Sequence, residues 1–265
     1  MTIYIQESGN INSKHVIMFL HGGGVSGWMW KNQINDFQHF HCLVPDLPEQ
    51  GGSRECGLFS INGSAHLLLE TLEKKAKGKK VILIGFSLGA QIVVQMISMK
   101  PELIDYAMIN SALVRPILFS KMYLKFFLNL SYPLIKNKTF SSIQAKTLFI
   151  HHDDFPNYYK ESCEMKKESL MRILKENMSY TIPNQFQYAN VNILVTVGEK
   201  ENSIMKKSAY DLVLANQLCQ GIVIKNVGHG ISLANPTLFR EIIENWLGET
   251  EFSSHFFKKI ERKIV

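Results

Sequence analysis

Short apolar runs alternate with amphipathic stretches through the first half of the chain. Val16-Ile17-Met18-Phe19-Leu20, residues 42–45, Val81-Ile82-Leu83-Ile84-Gly85 and residues 103–110 carry almost no polar positions. Such runs suit strands buried on both faces of a parallel sheet rather than half-exposed ones. Residues 29–38, 62–76 and 88–99 repeat their apolar positions at helical spacing, and the resulting strand–helix rhythm predicts an α/β fold with a mostly parallel central sheet flanked by helices. Residues 2–7 alternate like a further strand. The rhythm stops after Ala112 and resumes with strands over 191–197 and 221–226. No regular α/β connection is as long as the interval 113–187, so its helical pattern predicts an inserted cap over the carboxyl ends of the strands. The expected organisation is a core of 1–112 and 188–248, a helical cap over 113–187, and an extension over 249–265. In that extension Phe252, Phe256, Ile260 and Ile264 recur every four residues beside Phe257, with Lys258, Lys259, Arg262 and Lys263 on other sides. This predicts a short amphipathic helix. It needs a partner, in order of preference its own body, a second subunit or an anionic membrane surface.

Candidate chemistry sits at four of the strand ends. Gly85-Phe86-Ser87-Leu88-Gly89 follows one apolar strand directly and opens a helix. A serine at so tight a turn adopts strained backbone angles, the flanking glycines remove side chains that would collide, and the hydroxyl is lifted above the sheet. Ser87 is therefore the candidate nucleophile. The strand at 16–20 runs into His21-Gly22-Gly23-Gly24, where backbone can approach a ligand closely. An oxyanion needs two converging N–H donors, here expected from Leu88 and Gly23, with Gly24 as the alternative. His21 is expected to brace that loop by hydrogen bonding. His229, held between Gly228 and Gly230 after the last strand, is the candidate general base. The base needs an acid to set its tautomer, and Glu201, after the strand at 191–197, is the first choice, with Glu199 and Asp211 as fallbacks.

These residues resemble the α/β-hydrolases, in particular the small, cofactor-free serine esterases and lipases, over roughly residues 1–248. The order serine, acid, histidine fits that family, and position 201, three residues after Gly198, matches its acid position with Glu where Asp is commoner. Asp46-Leu47-Pro48-Glu49-Gln50-Gly51-Gly52-Ser53 resembles the family turn D-x-P-G-H-G-x-S, with Glu49 and Gln50 replacing Gly and His; no chemistry is assigned there. The resemblance implies an α/β-hydrolase fold and hydrolysis of an ester-type bond in a small, partly apolar substrate through an acyl-enzyme. The same triad also supports cofactor-free lyase or haloperoxidase-like chemistry, or a slow-turnover ligand-binding signalling protein.

Composition narrows the picture further. With 265 residues and 46% hydrophobic content the chain can build one large packed core. The formal net charge of +6 is spread over many segments, so neither nucleic acid nor a membrane is expected as a partner, and the chain is expected as a monomer or homodimer. Phosphate-loop and dinucleotide fingerprints are absent, so no cofactor is expected. Cys42, Cys56, Cys163 and Cys219 lack paired metal-type spacing and read as free thiols, and no signal peptide pattern opens the chain, which together point to a cytoplasmic protein. His151-His152-Asp153-Asp154 reads as a polar surface run without a metal. Trp28 and Trp30 are expected in the core or as one wall of the pocket, and the aromatic-rich start of the cap, residues 117–128, suggests an apolar substrate portion.

Overall fold

The structure, a computed structural model, describes residues 3–117, 121–248 and 256–262. Its strands are β1 (Ile5–Gly9), β2 (His15–Leu20), β3 (His41–Pro45), β4 (Lys80–Phe86), β5 (Tyr106–Asn110), β6 (Asn192–Gly198), β7 (Cys219–Ile224) and β8 (Phe257–Lys259). They form one sheet in the order β1-β3-β2-β4-β5-β6-β7-β8. The six inner strands are parallel, and β1 and β8 close the two edges antiparallel. The helices are α1 (Lys31–Asp36), α2 (Ile61–Lys75), α3 (Leu88–Met99), α4 (Lys121–Ile135), α5 (Lys138–Thr147), α6 (Phe155–Glu164), α7 (Lys167–Ser179), α8 (Ser203–Ala215), α9 (Ile231–Ala234) and α10 (Pro236–Leu247).

The two-residue period of β2 shows why the inner strands lack polar positions. Val16, Met18 and Leu20 join one buried layer, whereas Ile17 and Phe19 join the other. The first layer takes its partners from α2, α3 and α8; the second takes Trp30, Ile34, Phe37, Phe239 and Trp246 from α1, the residues on either side of it, and α10. Both sides of the strand thus leave water, each large side chain contributing roughly 1.5–3 kcal/mol. Trp30 is fully buried against Phe19 and Phe239 and belongs to the core, not to a pocket wall. Local chemistry sets the helix starts: Ser60 caps α2 by accepting from Gly63 N–H, and Asn235 caps α10 by accepting from Leu238 N–H with Pro236 behind it. Such a cap stabilises a helix by about 1 kcal/mol.

The extension departs from the sequence expectation. Phe257–Lys259 is a strand, β8, paired with β7 through Ile222↔Lys259, Val223↔Lys258 and Ile224↔Phe257, and the helix read there is corrected. A short isolated helix is marginal, whereas β7 would otherwise present an edge of unpaired N–H and C=O groups. Phe257 is buried, Ile260 packs on the core beside Gly221, and Arg262 donates to the carbonyls of Asn216, Gln217 and Cys219. The segment therefore packs on its own chain. Phe252, His255, Lys263 and Ile264 lie outside the described residues.

Between β5 and β6 the chain makes the helical insertion α4–α7. Two carboxylates, a buried one at Glu49 and a half-buried one at Glu161, clasp it to the core. Glu161 of α6 accepts from Ser26 Oγ at 2.6 Å and from Trp28 Nε1 at 2.9 Å, while burial pushes its carboxyl above the ordinary range against those bonds. Glu49, in the turn after β3, accepts two bonds from Arg172 of α7, one from Ser169 Oγ and one from Phe59 N–H. It adopts φ 65°, a left-handed conformation that costs a non-glycine residue on the order of 1 kcal/mol and that these four bonds hold in place. The Glu at this turn, where the resemblance leads one to expect Gly, is thus a link between core and cap.

Arg172 holds the Glu49 carboxyl down to about 2, with burial opposing and the Phe59 and Ser169 bonds assisting. A depressed carboxylate contributes stability that is complete above its ordinary value and lost as pH falls through the folded one. The cap contact is accordingly expected to weaken as pH drops from about 4.5 toward about 2. Trp28 fluorescence should report it, because that indole bonds to the cap. Arg172→Met should loosen the cap already at neutral pH, and a variant with the wild-type acid profile would refute this link.

Candidate active site

Ser87 stands between β4 and α3 with φ 54° and ψ −112°, an unfavourable conformation for a residue with a side chain. Its N–H still bonds to Asn110 O of β5 at 2.9 Å, so the turn remains anchored to the sheet. The two glycines of the pentapeptide are demanded by close approach. A Cβ at Gly85 would lie 2.5 Å from Gly89 O, and one at Gly89 would lie 2.3 Å from Leu20 O. α3 can thus pack directly across the end of β2, and its N-terminal N–H groups and dipole face the same place as the Ser87 hydroxyl.

The chain brings the three distant candidates together at the carboxyl end of the sheet. His229 Nε2 lies 3.1 Å from Ser87 Oγ, and His229 Nδ1 lies 2.8 Å from Glu201 Oε2. His229 follows β7 on a loop bounded by Gly228 and by Gly230, at φ 97°, and its ring packs at 4.8 Å on Phe86. Glu201 is buried, and its Oε1 accepts from Gly198 N–H at 2.8 Å and from Ser111 Oγ at 2.7 Å. Burial opposes its charge, but the bonds from His229, Gly198 and Ser111 prevail and hold the carboxyl below the ordinary range. The ionised acid is thereby fixed against Nδ1, which leaves Nε2 as the basic nitrogen facing Ser87.

Glu199 points elsewhere, accepting from Asn226 N–H and Lys258 Nζ on the surface, and Asp211 pairs with both nitrogens of one Arg115 fork. Neither fallback reaches His229.

The glycine loop is held from both sides. His21 donates from Nδ1 to Gly22 O at 2.7 Å and accepts from Leu47 N–H at Nε2, so it braces the loop as expected. The Gly24 N–H is committed to Gln50 Oε1 at 2.9 Å. By contrast, the N–H groups of Gly23 and Leu88 have no acceptor among the described residues. The two residues are neighbours, since a Cβ on Gly23 would lie 3.5 Å from Leu88 Cδ2 and 3.6 Å from Ile173 Cγ2 of the cap.

Two residues of this arrangement escaped the sequence reading. Ser111, buried at φ 57° just past β5, supports Glu201, and only its place after a buried strand hinted at the role. Gln50 sits in the turn to which no chemistry was assigned and carries the loop contact just described. His151, His152 and Asp153 converge on a turn, their ligand-type atoms within 4.8 Å of one another, and all three are exposed. Among the described residues no helix is long and apolar enough to cross a membrane.

Comparison with known proteins agrees with this architecture. The alpha/beta hydrolase fold family model matches residues 15–131. A pimeloyl-[acyl-carrier protein] methyl ester esterase of Pectobacterium carotovorum is 32% identical over 105 residues, 39% of this chain and 38% of that protein. The chain matches only about a third of the length of its curated relatives, between 31% and 38%. The bromoperoxidase structure from Bacillus anthracis superposes with a TM-score of 0.78 at 16% identity, covering 93% of this chain and 95% of that one. The enol-lactonase from Burkholderia xenovorans LB400 gives 0.76 at 14% identity, covering 93% and 96%. At such identities the structural likeness speaks for the fold alone. With its eight-stranded, mostly parallel sheet and helical insertion the chain has the alpha/beta hydrolase fold, and residues 15–131 match the model of that family.

Proposed function

We propose that this protein is a serine hydrolase that cleaves an ester-type bond in a small, partly apolar substrate through an acyl-enzyme. The observation that carries the reading is the continuous relay from Ser87 Oγ through both nitrogens of His229 to the buried Glu201 carboxylate. In the first half-reaction His229 Nε2 takes the Ser87 proton as Oγ attacks the carbonyl carbon. Negative charge moves to the carbonyl oxygen, where the free N–H groups of Leu88 and Gly23 are the donors available to it. The imidazolium then returns its proton to the leaving alcohol, and the Ser87 acyl ester remains. Water repeats the sequence with the same base, releasing the acid and restoring the serine hydroxyl. Glu201 stays ionised throughout and stabilises the imidazolium.

Support for an ester rather than a metal- or cofactor-dependent bond comes from this self-sufficient proton relay and from esterases among the relatives. All four cysteines are free thiols, which fits the cytoplasmic setting proposed with this activity. A fluorophosphonate that labels Ser87, together with turnover of p-nitrophenyl esters of graded acyl length, tests the reading. Labelling with a single burst and no further turnover would favour a ligand-binding protein instead.

Gln50 provides a further check. Gln50→Ala frees the Gly24 N–H and removes one anchor of the glycine loop, so kcat is expected to fall by at least about tenfold. The ceiling is the roughly 10²–10³-fold loss known for deletion of an oxyanion donor. KM should change little. An unchanged kcat would show that the loop holds its register without Gln50.

A further inference from the structure

The cap exposes an apolar surface that the proposed reaction does not use. On α4, Phe126, Leu130 and Leu134 follow one another at four-residue spacing and are 68%, 69% and 44% exposed. On the adjoining α5 and just after it, Ile143 and Phe149 are 60% and 44% exposed. Successive positions four apart share one side of a helix, and a helix of a water-soluble domain ordinarily turns that side inward. Exposed apolar side chains grouped on adjoining helices in this way mark an interaction surface.

The charge of the same segment says which partner fits. From Tyr106 to His152 the sequence contains no Asp or Glu, yet it carries Arg115, Lys121, Lys125, Lys136, Lys138 and Lys146. Arg115 is taken up by Asp211. Lys136, Lys138 and Lys146 are exposed and form no ion pair with a described carboxylate. Net charge over the whole chain hides this asymmetry, because the acids that balance these lysines lie in other segments. A helix pair with bare apolar groups and only positive formal charge in its own sequence complements an anionic bilayer, where rings and leucines enter the acyl boundary and lysines meet lipid phosphates. A second copy would bring the same positive charge and be repelled.

We propose that the α4–α5 corner of the cap docks on an anionic lipid surface. The corner adjoins the candidate site: Phe149 lies 3.8 Å from the position of a Cβ on Gly228 and 4.0 Å from that on Gly230, the two residues flanking His229. On the esterase reading, docking therefore brings lipid-borne esters to the site, although the docking itself does not depend on that reading.

Sedimentation of the intact chain with vesicles tests the proposal. Partition onto phosphatidylcholine vesicles containing phosphatidylglycerol should exceed that onto phosphatidylcholine alone by about tenfold or more, and fall similarly in high salt. The double variants Phe126→Ser/Leu130→Ser and Lys136→Glu/Lys138→Glu should each lose roughly tenfold in partition while hydrolysing a soluble short-chain ester like the wild type. Ser87→Ala should bind vesicles like the wild type, so failure of the hydrolase reading and failure of docking give different results. Absence of partition, equal partition onto neutral vesicles, or variants that bind normally would each overturn the proposal. So would a sizing column on which the wild type is a dimer and Phe126→Ser/Leu130→Ser a monomer, if the wild type ignores vesicles.

Discussion

Ser87→Ala is expected to abolish fluorophosphonate labelling and to lower kcat on p-nitrophenyl esters by roughly 10⁴–10⁶-fold, the range seen when a serine triad loses its nucleophile. The fold should survive. The alanine keeps the Cβ that the turn already accommodates, and the lost Oγ has His229 as its hydrogen-bond partner, a side chain that is 33% exposed and can turn to water. No buried donor is stranded, so the melting temperature should move by no more than about 2–4 °C, the shift that 1 kcal/mol produces in a domain somewhat smaller than this one. Full activity in the variant, or stoichiometric label on another residue, would remove Ser87 from the reaction and with it the proposed mechanism.

Glu201→Gln should cost kcat about 10⁴-fold, as loss of the triad acid does elsewhere, with the fold retained. Both carboxylate oxygens are acceptors in the structure, Oε1 for Gly198 N–H and Ser111 Oγ and Oε2 for His229 Nδ1. An amide has only one oxygen. If its NH₂ faces Gly198, two donors collide in a buried place; if it faces His229, the ring accepts at Nδ1 and carries its proton at Nε2, where it can no longer take one from Ser87. The charge that would stabilise the imidazolium is gone in either orientation. Glu199→Gln, by contrast, alters a surface contact with Asn226 and Lys258 and should change kcat by less than about threefold. Steady-state kinetics of the two variants separate them, and the reverse outcome would make Glu199 the orienting acid.

The departures from the family pattern turn out to be structural links. Glu49 and Gln50 stand where the resemblance leads one to expect Gly and His, and each bonds to a segment the sequence could not have paired with it. Glu49 reaches Arg172 and Ser169 in the cap, and Gln50 reaches Gly24 in the glycine loop. The glycine loop and the cap are thereby joined to one turn after β3, so a disturbance in α7 has a short covalent and hydrogen-bonded route to Gly23. This is a second reason to measure turnover as well as cap release in Arg172→Met.

From sequence alone came everything that depends on near neighbours. Strands buried on both faces betray themselves by unbroken apolar runs, the tight turn at Ser87 by glycines two residues to either side, and the loop at His229 by its flanking glycines. Because the family order is preserved along the chain, these local signals also sufficed to name Ser87, Glu201 and His229 as a group. What only the tertiary structure decided are contacts between residues far apart in the chain that share no local pattern. Ser26 and Glu161, Glu49 and Arg172, and Ser111 and Glu201 are such pairs. The tail shows the limit most plainly. Its four-residue apolar repeat is a fair helix signal, but the backbone groups left open along β7 outweigh a short segment's weak helical preference, and the hydrogen bonds of that edge make Phe257–Lys259 a strand.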